Sequence, residues 1–369
     1  MIEKMKKNKT SLILIILGML GAGCGSQSVN VPQTPPEKLS AYGFFAGNPA
    51  DLQPSAGVLP YDLNTPLFSD YAHKARFVWM PPGKSARYTG AGVLDFPEGT
   101  VLIKNFYYEN DETAAAKGRR ILETRLLIHR GENWEALGYI WDDAQTEAYL
   151  KVTGDIKEVA WVNKQGKAQQ VNYIIPNKNQ CKNCHARAEE LVPIGPKVAN
   201  LNRDFAYADG AKNQLVKWTE VGYLSGYVPE AEHPVLAAWD QPGGGDLQER
   251  ALAYLDVNCG HCHHPEGAAN TSGLTLTAGA KLDRSLGIFK PTVSAGAGTG
   301  GNTYSIVPGD PEASIMVYRM RSTDPGAMMP ELGRRMVHEE GVALISDWIK
   351  SLELENPAQV SGAPASSSK

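Results

Sequence analysis

The chain has 369 residues, 42% of them hydrophobic and 21% charged, the balance of a folded globular body with room for more than one domain. Its formal net charge of −4 argues against nucleic acid as a partner. With 37 Gly and 24 Pro, many turns and loops are expected.

Lys4, Lys6, Lys7 and Lys9 precede an apolar stretch of thirteen residues, 11–23. That is too short for a membrane span and fits a secretory signal. The stretch ends Leu20-Gly21-Ala22-Gly23-Cys24. Small residues before a cysteine resemble a bacterial lipobox, with Gly21 where that pattern prefers Leu. The resemblance implies that residues 1–23 are removed and that Cys24 is the lipid attachment point. Gly25, where an inner-membrane retention signal has Asp, leans toward the outer membrane. Without the leader's charge of +3 the mature chain carries −7, a surface suited to basic redox partners. Residues 24–39 are polar and Pro-rich and read as a flexible tether.

Residues 40–178 have the pattern of short strands. The segments 99–108 and 120–129 are rich in β-branched and aromatic residues with partial alternation. Further strand candidates cover 134–152 and 158–175, separated by Gly, Asp and Lys-Gln-Gly turns. The expectation is a β-rich domain of sandwich or barrel form.

Four of the five cysteines remain after Cys24. They form Cys181-Lys182-Asn183-Cys184-His185 and Cys259-Gly260-His261-Cys262-His263. At this composition a given Cys opens such a motif by chance on the order of three times in ten thousand, so two occurrences that use every remaining Cys carry meaning. Two thiols three positions apart can reach the two vinyl groups of one haem as thioethers. The adjacent His then lies beneath the iron as proximal ligand. The reading is two covalent haems c, held by Cys181, Cys184, Cys259 and Cys262 and ligated by His185 and His263. A zinc ribbon would bring its Cys pairs roughly 15–20 residues apart, whereas Cys184 and Cys259 are 75 apart. Two disulfides suit an exported chain, but they leave both following histidines unexplained.

The first motif opens a haem-binding segment, 179–240. Asp240-Gln-Pro-Gly-Gly-Gly-Asp246 is then a linker signature, and Asp246 with Glu249 makes a capping-box start. Leu247, Ala251, Tyr254 and Leu255 share one face of the helix that runs into Cys259. Val342, Ile345, Trp348, Ile349 and Leu352 make the apolar face of a closing helix. Residues 241–354 are accordingly expected to be a small cytochrome c domain. The Gly-rich run 296–301 lacks the strand and helix of a dinucleotide fingerprint and is expected as a loop over the second haem. The tail, 355–369, is Pro, Ala and Ser-rich and expected to be disordered.

Met328-Met329-Pro330 follows 66 residues after His263 and resembles the axial-ligand loop of class I cytochromes c. Met329 is the expected sixth ligand of the second haem, a soft thioether that favours ferrous iron, and Met328 is expected to pack. No Met lies between His185 and Met316. The first haem's sixth ligand is therefore sought in Met80, His73 and His233, in that order, with five-coordinate iron as the alternative.

The chain is also similar to a bacterial family of dihaem c-type cytochromes with no established substrate. The similarity is carried by Pro60-Tyr-Asp-Leu-Asn-Thr-Pro-Leu-Phe-Ser-Asp70, by both motifs with their leading residues and by Met328-Met-Pro-Glu-Leu-Gly333. It implies two covalent haems.

The expected fold class is α+β, with an N-terminal β-rich domain, a haem-binding segment and an all-α class I cytochrome c domain. The expected function is an electron-transfer lipoprotein of the periplasm with protein redox partners and a lipid anchor. A haem peroxidase or small-molecule oxidase is the first alternative, and a haem-stabilised binding module the second.

Overall fold

A computed structural model of the chain describes residues 28–187, 190–293 and 296–354. The leader, Cys24 and the tail at 355–369 lie outside the described residues. No helix among the described residues is long and apolar enough to cross a membrane.

The strands in chain order are β1 (Val58–Tyr61), β2 (His73–Trp79), β3 (Ala86–Arg87), β4 (Val101–Glu109), β5 (Arg119–Arg130), β6 (Asn133–Trp141), β7 (Ala148–Leu150), β8 (Asp155–Val162) and β9 (Ala168–Ile175). After the helix α1 (Lys178–His185) come β10 (Ala186–Arg187), β11 (Glu190–Leu191) and α2 (Val198–Leu201). Then follow β12 (Asp204–Tyr207), β13 (Gly210–Asn213), α3 (Gln214–Glu220), β14 (Leu224–Ser225), α4 (Leu247–Asn258), α5 (Ile315–Arg321) and α6 (Glu339–Ser351).

One antiparallel sheet of six strands, β1-β2-β4-β5-β6-β7, organises the molecule, with β1 and β7 as its edges. Alternation along β4 and β5 sends Val101, Ile103, Leu126 and Ile128 to one face. There they meet Tyr42, Phe44, Phe77 and Trp141 in the first core. The register slips between Phe106 and Tyr107, where Leu122 has no partner across the pair. That slip brings Phe106, Tyr108 and Leu122 together under the β8–β9 hairpin, with Trp161 and Tyr173. A third core joins β1 and β2 to α2, α3 and β14 around Met80 and Trp218.

The expected division into a β-rich domain and an all-α class I cytochrome c domain is overturned. The chain is mostly β, and its described helices number six, of which α4 and α6 are the longest at 12 and 13 residues. Only α4, α5 and α6 fall within 241–354. The described residues from Cys259 to Ser314 form turns, 3-10 turns and isolated bridges such as Ile288–Ile306 and Pro291–Tyr304. Frequent Gly and turn-forming residues there prevent longer helices. The three helices do pack on one another through Leu255, Val317, Ile345 and Trp348.

Their surroundings are also not their own, because the segment between β1 and β2 straps the sheet to the rest. Thr65 exchanges bonds with Asn200 at 2.9 and 3.1 Å, and Phe68 N–H donates to Asn258 Oδ1 at 2.9 Å. Asp70 Oδ1 accepts the Arg335 and Met336 N–H groups at 2.6 and 2.8 Å. Asp70 and Tyr71 both sit at positive φ, 49° and 64°. That is a strained backbone for such residues, held by these bonds.

Candidate functional site

The first motif begins on a capped helix. Asn177 Oδ1 accepts Gln180 N–H at 2.9 Å, and the Gln180 side chain accepts Asn177 N–H at 3.0 Å. This reciprocal cap starts α1 one turn before Cys181, so Cys181 and Cys184 fall three positions apart on one helix face. The second motif leaves the end of α4, whose Asp246–Glu249 cap is present at 2.8 and 2.9 Å. Cys259 caps the far end of α4, and Gly260 follows it in close contact. A Cβ at Gly260 would meet the Leu276 and Asp256 carbonyls, so the second motif has room only for glycine there.

Both histidines that follow the thiols are held alike. His185 Nδ1 lies 2.8 Å from the Val192 carbonyl, which can only accept, so Nδ1 carries the proton. His263 Nδ1 lies 2.9 Å from Ser272 Oγ. That hydroxyl donates to the Ala269 carbonyl at 2.7 Å and so accepts from His263. Each ring therefore presents Nε2 with its lone pair free, the arrangement of a metal-ligating histidine oriented by a second partner. Burial holds both rings neutral, His185 and His263 each down to about 4.

The two motifs meet in space. Cys184 has the side chains of Cys262 and His261 as neighbours. Cys262, and after it His261, hold the Cys184 thiol well below its ordinary value, while Cys262 is pushed up. Burial pushes Cys259 up to about 12. Arg187 beside the first motif pairs with Glu266 beside the second, and Lys197 pairs with Asp256 on α4 at 2.6 Å.

The loop holding Met329 borders the second motif. Arg319 acts on His263, Glu331 on Cys262 and Arg334 on Cys259. Met329 N–H donates to the Arg319 carbonyl at 3.0 Å, and Arg334 donates to the Met329 carbonyl at 2.9 Å. Met328 is 4% exposed and buried, whereas Met329 is half-buried.

The three residues expected as sixth ligands of the first haem each have protein partners. Met80 is 1% exposed in the third core, which also holds Trp218. His73 Nε2 pairs with Glu112 at 2.7 Å, its ring stacked on Tyr107. His233 has both nitrogens engaged, by Tyr88 at 2.7 Å and by the Val228 carbonyl at 2.8 Å. The fold also brings in His129, which the sequence pattern does not mark out because it lies near the end of a strand like any polar residue. His129 shares with Cys184, His185 and His264 a cavity of about 660 Å³, also lined by Phe96 and Trp134. Its ring stacks on Trp134 at 4.6 Å, and its buried Nδ1 has no partner.

Comparison of the chain with protein-family models, curated proteins and solved structures finds no match. The four cysteines among the described residues are free thiols, in two pairs, each pair followed by a histidine held through Nδ1. Among the described residues no group of three or more His, Cys, Asp and Glu gathers around a bare ion. These groups fit two covalently attached haems, and the residues that would hold them are those of the two motifs.

Proposed function

We propose that the chain is a dihaem c-type cytochrome that transfers electrons, a member of the bacterial dihaem family its motifs resemble. A covalently held haem supplies a one-electron ferric–ferrous couple. The supporting observation is that Cys184 adjoins Cys262 and His261, although 78 residues separate the two cysteines. Cys184 and Cys262 would hold their two haems from neighbouring positions, and each haem would supply a one-electron couple. His185 and His263 would ligate the iron through Nε2, and Val192 and Ser272 keep each ring in the tautomer this requires. The apolar surroundings of Cys259, Tyr254 and Trp239 exclude water from the second centre. Lipid attachment at Cys24 would hold the protein at the periplasmic face of the outer membrane, within reach of soluble redox partner proteins.

The test is stoichiometric. The mature protein is expected to retain two haems per chain after denaturation and acid-acetone extraction, counted as pyridine haemochrome. Cys262→Ser is expected to lower the covalent count to one, and Cys181→Ser to do the same for the other site. A count of one or zero in the parent protein would overturn the proposal.

A second reading, a haem enzyme with one open iron, is favoured by a specific observation. All three side chains expected beneath the first haem are engaged elsewhere, and a cavity opens beside His185. Carbon monoxide binding to one ferrous haem without mutation, together with peroxide turnover, would select this reading over a simple carrier.

A further inference from the structure

The sheet face covered by α1 carries a row of cations that its own acids do not balance. Arg76 on β2 is the register partner of Lys104 on β4, and Lys104 is the partner of Arg125 on β5. Direct partners project to the same face, so these three side chains stand side by side across three strands. Lys74, two residues before Arg76, joins them on that face.

Two of the four cations are paired. Arg125 grips Glu123 through two bonds, at 2.5 and 2.7 Å, and Arg76 reaches Asp62 at 2.6 Å. Among the described residues neither Lys74 nor Lys104 has an ion pair, and the second terminal nitrogen of Arg76 is buried without a partner. Asp70 is the next acid whose charge reaches Lys74, and backbone N–H groups already occupy it. Burial, with the neighbouring arginines, lowers Lys74 to about 7 and Lys104 well below its ordinary value. Two amines in such a place are driven toward the neutral form unless a bound anion meets them and keeps them charged.

The row has a direction. α1 packs over β6, and its Cys181 feels the charges of Arg125 and Glu123 on β5. Lys104 lies one strand further from α1, and Arg76 and Lys74 two strands further, roughly 5 and 10 Å beyond Arg125 at ordinary strand spacing. A haem joined to the first motif by its vinyl edge turns its opposite edge, which carries two propionate carboxylates, away from α1.

We propose that Lys74, Lys104 and Arg76 form a carboxylate-binding row that receives the two propionates of the first haem. The inference rests on the dihaem reading and assigns a role to residues outside both motifs. Two carboxylates match the two unpaired ammonium groups in number and sign, and the guanidinium of Arg76 offers its free nitrogen to one of them. Positive charge held at this edge also raises the first haem's potential relative to the same haem without it.

The test uses the holoprotein and the substitutions Lys74→Met and Lys104→Met, with Lys74→Arg as the charge-keeping control. Removing an unbalanced, half-buried cation stabilises a protein, whereas removing one that holds a carboxylate destabilises it. The expected result is a lower thermal midpoint and a lower first-haem potential in both Met variants, with the second haem's potential unmoved. Lys74→Arg is expected to restore both. A haemochrome count of two with unchanged or raised midpoints overturns this inference and leaves the dihaem reading standing. A count below two in the parent protein overturns the reading itself, and the inference with it. Added sulfate separates the two sources of anion. A spectrum of the first haem that shifts with sulfate means the row is open to free anions, against the proposal, and an unresponsive one supports occupation by the haem's own carboxylates.

Discussion

The Asp70 carboxylate accepts the Met336 N–H at 2.8 Å across 266 residues of chain, and the same oxygen accepts Arg335 N–H. Through this one atom the strap that leaves β1 fixes the chain between the Met328–Met329 loop and α6. Burial is the largest influence on Asp70 and raises its pKa, and the two backbone bonds oppose it. A carboxyl whose folded value is raised binds its proton more readily in the folded state. Its contribution to stability is therefore complete below the ordinary carboxylate range and declines as pH rises toward the raised value. Asp70→Asn keeps the accepting oxygen and sheds the buried charge. It is expected to change stability by less than about 1 kcal/mol at neutral pH and to flatten this part of the pH profile. Asp70→Ala leaves two N–H groups without an acceptor and is expected to lose about 2–4 kcal/mol in urea denaturation. Equal losses in the two variants would mean that the charge, and not the accepting oxygen, holds the strap.

Met80 offers a sharper separation of packing from ligation. It lies 1% exposed against the third core, where its carbonyl and N–H face the Tyr223 hydroxyl. Met80→Ala is expected to cost about 2–5 kcal/mol, the range for emptying a buried site of this size. Haem spectra and both reduction potentials are expected to stay as in the parent protein. A first haem that becomes high-spin in Met80→Ala would return this residue to the iron.

Local pattern and long-range register contribute differently to what the sequence reveals. The strands expected at 99–108 and 120–129 appear as Val101–Glu109 and Arg119–Arg130, because alternation is written within each segment. The helix capped by Asp246 and Glu249 and the closing helix with Val342, Ile345, Trp348 and Ile349 buried are equally local signals. The Asn177–Gln180 cap before the first motif has the same form and is readable in the sequence once sought. Nothing local aligns Arg76 with Lys104 and Arg125, since their alignment depends on the pairing of three strands. Nor does either motif announce that Cys184 meets Cys262. The all-α expectation fails for a related reason. Two well-capped helices say nothing of the irregular chain between them, or of a sheet strapped against it.

Cys24 lies outside the described residues, so the anchor is tested in the cell. If Cys24 is lipidated, the protein partitions into detergent and labels with palmitate, and Cys24→Ser abolishes the label. Unlabelled soluble protein in the periplasm would leave a plain secretory signal.

In the proposed second centre, His263 would share the iron with a methionine from a loop carrying two in succession. Met328 is buried at 4% exposure and packs near Ala327, while Met329 is the less buried of the two. Arg319 and Arg334 fix the Met329 backbone from two sides, so the loop is held against the second motif whichever sulfur is used. Thioether ligation of ferric haem gives a weak red-edge absorption band and stabilises the reduced form. Met329→Ala is expected to abolish the band, to open the iron to carbon monoxide and to lower that haem's potential. Met328→Ala is expected to keep the band and to lose stability by about 2–5 kcal/mol, as a buried packing residue does. Loss of the band in Met328→Ala alone would exchange the two assignments. A band unaffected by either substitution would mean that the sulfur reaching the iron comes from outside this loop, in which case the arginine contacts at Met329 serve only to close the chain over α4.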